Sequence, residues 1–183
     1  MSNAHENFTM AAPAVQASFN GRVPKTAYTV RVTGLKTMLE DVVKPKGSYK
    51  RTTFSCEILG PDPVTDKDGQ QYSVAGRKFN IGLPISPESS QYGDVYTALA
   101  SWGYKKDDGT IDIQKFWDDC RSQSLFFQVM LDSEESTVRD GAGQPIPGPD
   151  GKPITKGWQI KWVNPSDLLF RVNPESPTAA APY

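Results

Sequence analysis

A chain of 183 residues with 20 basic and 21 acidic side chains has a formal net charge of −1, which excludes a protein that holds nucleic acid through overall positive charge. Two cysteines without a CxxC pair and a single histidine, His5, exclude a four-ligand zinc site of local residues and leave any serine or cysteine nucleophile without a well-placed base. No stretch approaches the roughly 20 apolar residues that span a bilayer, so no membrane partner is expected.

Residues 1–25 are rich in Ala, Ser, Asn and Pro, show no sustained period and read as a flexible arm. They lack the basic start and long apolar run of a signal peptide, so a cytoplasmic protein is expected. TAYTVRVTG, residues 26–34, alternates: Tyr28, Val30 and Val32 share one face and Thr29, Arg31 and Thr33 the other, as in a half-buried strand. LKTMLEDVVKPKG then runs into a turn at Pro45 and Gly47. GSYKRTTFSCEIL, residues 47–59, sets Phe54, Cys56 and Ile58 on an apolar parity and Tyr49, Arg51, Thr53, Ser55 and Glu57 on the other. GPDPVTDKDGQQ, residues 60–71, reads as the loop of a long hairpin connection. A third strand follows in VAGRKFNIGLPI, residues 74–85, with Phe79, Ile81 and Leu83 inward, Lys78 and Asn80 outward, and Pro84 marking an edge or strand end.

Helical spacing enters at YGDVYTALASWGY, residues 92–104, where Val95, Leu99 and Trp102 share a side and Gly103 is the stop. DGTIDIQKFWDDC, residues 108–120, reads as a turn and a short second helix, with Asp112 as N-cap and Ile113, Phe116, Trp117 and Cys120 on its buried face. SLFFQVMLD, residues 124–132, is a dense strand with Leu125, Phe127, Val129 and Leu131 on one face and Phe126 and Met130 on the other. Residues 133–157 carry Gly and Pro turn signals throughout and read as an extended hairpin loop. GWQIKWVN, residues 157–164, is expected to close the sheet, with Trp158, Ile160 and Trp162 on its core-facing parity. Residues 164–172 add a closing turn or edge strand, and 173–183 read as a disordered tail. Three strands, a helical insertion and two strands predict an all-β domain over residues 26–172. The expected form is an OB-fold, a five-stranded and partly open antiparallel barrel, with a small β-sandwich as the alternative.

Chemistry is sparse along this chain. Asp107, Asp108, Asp112, Asp118 and Asp119 gather around the two helices and read as caps and solvated loop residues; a divalent cation serving a hydrolase there is the remotest reading. GAGQPIPG, residues 141–148, lacks the strand-to-helix setting of a phosphate loop. Cys56 and Cys120 sit in apolar patterns and read as buried thiols. The expectation is a non-enzyme without catalytic residues, metal or cofactor.

Binding of unpaired nucleic acid survives these exclusions. Bases out of a duplex expose flat π-faces, so a sheet carrying aromatics among basic residues can stack bases and neutralise phosphates together. Lys44, Lys46, Lys50 and Arg51 form a positive run, Arg77 and Lys78 open the third strand, and Lys156 and Lys161 flank or enter the last one. Tyr49, Phe126 and Trp158 are the candidate aromatic contacts, with Tyr72 and Trp162 as further aromatics.

The passages GSYKRTTFSCEI, VAGRKFNIGLPI, VYTALASWGY, TIDIQKFWDD, SLFFQVML and KPITKGWQIKWVNPSD, in this order over about residues 26–170, resemble phage-encoded OB-fold proteins that bind single-stranded DNA in replication or recombination. The resemblance implies DNA contact by Arg51, Arg77, Lys78 and Lys161, with Tyr49 or Trp158 stacking on bases. It also implies single-stranded DNA as partner, contact with phage or host replication proteins, and residence in the cytoplasm of an infected cell, while the loop 133–157 offers a further surface for self-association. One departure is that SPTAAAPY at the end has no acidic tip, so recruitment of partners through an acidic tail is not implied. The alternative expectation is a structural or protein-interaction module of a phage particle or complex.

Overall fold

The computed structural model describes residues 22–173. Two long strands, β1 (Thr26–Lys44) and β2 (Gly47–Gly60), form an antiparallel hairpin. Tyr28, Val30 and Val32 of β1 and Thr52, Phe54, Cys56 and Ile58 of β2 are buried, every second residue, because successive side chains of a strand point to opposite faces. Register shifts between Val32 and Glu40 bend β1, and its last residues run on as an arm paired to β2 alone. A small ribbon, β3 (Val64–Thr65) with β4 (Gln71–Tyr72), interrupts the expected loop, and β5 (Lys78–Pro84) pairs with β2.

Helix α1 (Tyr92–Leu99) passes into an irregular turn over Ala100–Tyr104, where Gly103 at φ 89° takes a left-handed conformation that suits glycine. Helix α2 (Ile113–Arg121) starts where Asp112 accepts a hydrogen bond from the Lys115 backbone N–H at 3.1 Å. That bond satisfies one of the open donors of the first turn, so Asp112→Ala is expected to cost about 1 kcal/mol in urea unfolding, and Asp112→Asn much less.

Four strands follow. β6 (Phe126–Leu131) pairs with β1, β7 (Ser133–Thr137) pairs with β8 (Thr155–Ile160), and β9 (Leu168–Arg171) pairs with β6. The main sheet is antiparallel in the order β5-β2-β1-β6-β9. The core lies between one face of it and the helices: Phe116 of α2 meets Phe54 and Tyr104 edge to face, and Trp102 packs on Phe127 at 4.6 Å between ring centroids. Cys56 and Cys120 are both buried free thiols. Among the described residues no helix is long and apolar enough to cross a membrane.

This architecture corrects the expected one. It is a mixed α/β fold of three separate antiparallel sheets and two α-helices, and none of the sheets closes into a barrel. The OB-type barrel fails at its last strand. Residues 155–160 pair with 133–137 in a ribbon of their own, so the main sheet keeps β5 and the four-residue β9 as open edges. The two-sheet sandwich has no large second sheet either, since helices cover the buried face. Residues 1–21 of the expected arm and 174–183 of the expected tail lie outside the described residues, whereas Val23, at the arm's end, is buried with its N–H donating to Ser133 Oγ at 2.9 Å.

Candidate functional site

The face of the sheet turned away from the core carries the other parity of β2 and β5: Arg51, Thr53 and Ser55 beside Lys78, Asn80 and Gly82. The segment after β8 crosses this face. Lys161 N–H bonds the Asp132 carbonyl, Val163 turns inward and is buried, and Trp162 is left 53% exposed. Trp162 rests against Gly82, where a Cβ would meet its ring at 2.9 Å and the Arg51 side chain at 2.8 Å. Glycine is required here by close approach, so a side chain at 82 would push the pair away.

Three hollows open around this contact. One of about 740 Å³ lies under the hairpin tip and is lined by Lys44, Lys46, Tyr49, Arg51, Glu88 and Trp162 among others. A second, about 480 Å³, is lined by Arg77, Lys78, Phe79, Trp158, Lys161 and Trp162 among others, so the two meet at Trp162. A third, about 450 Å³, shares Lys78, Phe79 and Asn80 with the second and reaches Lys36 on β1. Together they make a groove from the hairpin tip to the β7–β8 ribbon.

The cations of the groove differ in what they already hold. Arg51 Nε donates to Glu40 Oε1 at 2.8 Å, and Thr53 Oγ1 donates to the same oxygen at 3.0 Å. The hydrogen bond from Arg51, then that from Thr53, hold the Glu40 carboxyl below the usual carboxylate range. Lys161 Nζ pairs with Asp132 at 2.8 Å, which raises the lysine. Burial opposes ionisation of Asp132, but the bonds from Lys161 and the Ser133 N–H outweigh it and keep that carboxyl low. Lys44 Nζ lies 5.3 Å from the Tyr49 ring centroid, covering one of its faces. Among the described residues Lys44, Lys46 and Lys78 hold no carboxylate.

Of the residues singled out from the sequence, Lys44, Lys46, Tyr49, Arg51, Arg77, Lys78, Trp158 and Lys161 come together along this groove. Three do not. Lys50 points off the opposite parity and pairs with Asp41 at 2.9 Å. Phe126, on β6, lies across from Arg31 and is separated from β5 by two intervening strands. Lys156 is exposed on the β7–β8 ribbon and lines none of the three hollows.

Glu40, which holds Arg51, Gly82, which lies under the Trp162 ring, and Arg22 are not among the expected site residues, and Trp162 enters there only as a further aromatic with the core favoured. Trp162 shares the parity of Ile160, which places it in the core only if the strand continues past residue 160; β8 ends there, and Asn164-Pro165 just beyond is the sequence signal. The aspartates near the helices are engaged as caps and partners: Asp108 accepts from Thr110, Asp112 caps α2, Asp118 pairs with Arg121, and Asp119 accepts from the Tyr104 hydroxyl. Among the described residues no three His, Cys, Asp or Glu side chains are grouped to hold a metal ion. No family model, curated protein or solved structure matches the chain.

Proposed function

We propose that the chain is a non-catalytic protein that binds single-stranded DNA with little sequence preference, in the replication or recombination setting its sequence resemblance implies. One observation carries this reading: two hollows meet at a half-exposed tryptophan and are edged by Lys44, Lys46, Lys78 and Lys161, together with Tyr49 and Trp158. A strand of unpaired nucleotides needs both elements, rings for the bases and amines for the phosphates. A duplex offers its bases only at groove edges and has no use for an exposed indole face.

Titration with oligo-dT at two salt concentrations, followed by tryptophan fluorescence, tests the reading. Quenching that weakens with salt is the expected result, and no quenching or mobility shift at low salt overturns it. The triple substitution Lys44→Ala, Lys46→Ala and Lys78→Ala removes amines with no carboxylate to neutralise them. It is expected to shallow the slope of log K against log salt by about 2, at roughly 0.7 per phosphate contact on a single strand, with the urea midpoint unchanged.

A second reading, a structural or protein-interaction module of a particle or complex, draws on a different surface. Met38, Leu39 and Val43, 38%, 48% and 79% exposed, lie on the arm of β1 that pairs with β2 alone. Three of the expected phosphate contacts, Lys50, Arg51 and Lys161, already hold carboxylates, which also suits this reading. A defined assembly in sizing experiments by protein indifferent to oligo-dT favours it; a monomer that binds oligo-dT removes it.

A further inference from the structure

The groove holds the same three-part arrangement twice. At one place the Arg51 guanidinium lies 5.6 Å from the Trp162 ring centroid and is tied to Glu40. At the other the Arg22 guanidinium lies 5.0 Å from the Trp158 ring centroid, pairs with the nearly buried Asp66 carboxylate at 3.2 Å and donates to the Tyr72 hydroxyl at 2.8 Å. Asp66 is itself fixed by the N–H groups of Asp68 and Gln70. Both tryptophans line one hollow, with Lys78 and Lys161 in its wall.

We infer that Trp158 and Trp162 are two fixed seats for nucleobases, each held by an arginine that acts as a positioning residue and does not meet phosphate. The inference rests on the single-strand reading above and deepens it. A guanidinium is planar and stacks on an indole face, so it occupies one side of the ring and fixes its plane. The carboxylate behind it fixes the arginine in turn and neutralises it. That charge balance is what separates these arginines from Lys44, Lys46 and Lys78, which are left to meet phosphates. A ring already held in place gives up less freedom when a base stacks on it than a swinging one does. The hollow that both tryptophans line is too polar at its rim, through Lys78, Gln159 and Lys161, to suit an apolar ligand.

The discriminating probe is an oligodeoxynucleotide whose backbone lacks bases, compared with oligo-dT of the same length. The unaltered protein is expected to prefer oligo-dT by at least about thirtyfold, the low end of what stacking on two aromatic seats at about 1–3 kcal/mol each supplies. Trp158→Ala with Trp162→Ala should lower oligo-dT affinity to the baseless level and leave baseless affinity unchanged. The pair Trp158→Phe with Trp162→Phe should restore part of the preference, which separates lost stacking from lost folding. Arg51→Ala should narrow the preference ratio, a readout that a purely structural role would leave alone. Equal affinity of the unaltered protein for both oligomers, or an unchanged ratio in the double alanine variant, overturns the two seats while binding itself stands. Failure to bind either oligomer at low salt overturns the single-strand reading and the seats with it.

Discussion

Phe54→Ala is expected to destabilise the protein by about 3–5 kcal/mol, read as a lowered urea midpoint with an unchanged slope. Phe54 is fully buried, meets the Phe116 ring at 5.6 Å and 83° and faces Phe127 at 6.3 Å and 72°. It therefore joins three elements at once: β2, on which it sits, α2 through Phe116 and β6 through Phe127. Truncation removes its own burial and one partner from each edge-to-face pair, and the neighbours stand on different elements that cannot all close on the gap. A domain of this kind has a total stability of about 5–15 kcal/mol, so the variant is expected to be close to its limit. Three residues earlier on the same strand, Arg51→Ala breaks a partly exposed ion pair with Glu40 and is expected to cost under about 1 kcal/mol. A midpoint shift for Phe54→Ala no larger than for Arg51→Ala would falsify the assignment of that parity to the core.

The contrast between those two positions also marks what the sequence made legible. In β2 one face is buried and the other is not, so a period of two is written into residues 52–58 and gives both the strand and its inward side. The start of α2 was equally readable, because an N-cap is a local interaction within four residues. The end of β1 was not: residues 36–44 are mostly exposed and are held by pairing with β2, a backbone interaction that leaves no apolar period. The β7–β8 ribbon failed for the same reason. Both its faces are largely solvated, and its turns at Asp140–Gly143 and Gly148–Gly151 carry the same Gly and Asp signals as an unstructured loop. Reading that stretch as a loop handed residues 157–164 to the main sheet, and the barrel followed from that single step. For the groove, the sequence supplied the residue types but not their partners. Glu40 and Arg51 are 11 residues apart and Asp132 and Lys161 are 29 apart, separations that only the fold brings together.

From about pH 6 to 8 stability is expected to be level and then to fall with increasing steepness, because four buried acids must keep their protons for the protein to stay folded. In an unfolded chain a thiol ionises near pH 8.5 and a phenol near 10. In the folded protein burial, with a smaller contribution from Cys120, pushes the Cys56 thiol well above its ordinary value. Cys120 is pushed up to about 12 by burial and then by Asp119, against Arg121. Burial, aided by Asp132, raises Tyr28 beyond the usual phenol range. Burial, then the hydrogen bond to Asp119, does the same to Tyr104. Below the unfolded pKa both states hold the proton and nothing changes. Above it the unfolded chain releases a proton that the folded protein keeps, so each group takes about 1.4 kcal/mol from stability per pH unit until its folded pKa is reached. The two thiols act first, giving a loss of about 2.7 kcal/mol per unit between pH 9 and 10, and the tyrosines roughly double that above pH 10. Urea midpoints at pH 7, 9 and 10.5 follow this curve directly. Cys120→Ala should halve the slope between pH 9 and 10 and leave the steeper limb in place, while a midpoint that stays constant to pH 10.5 would show that these four groups reach water in the native protein.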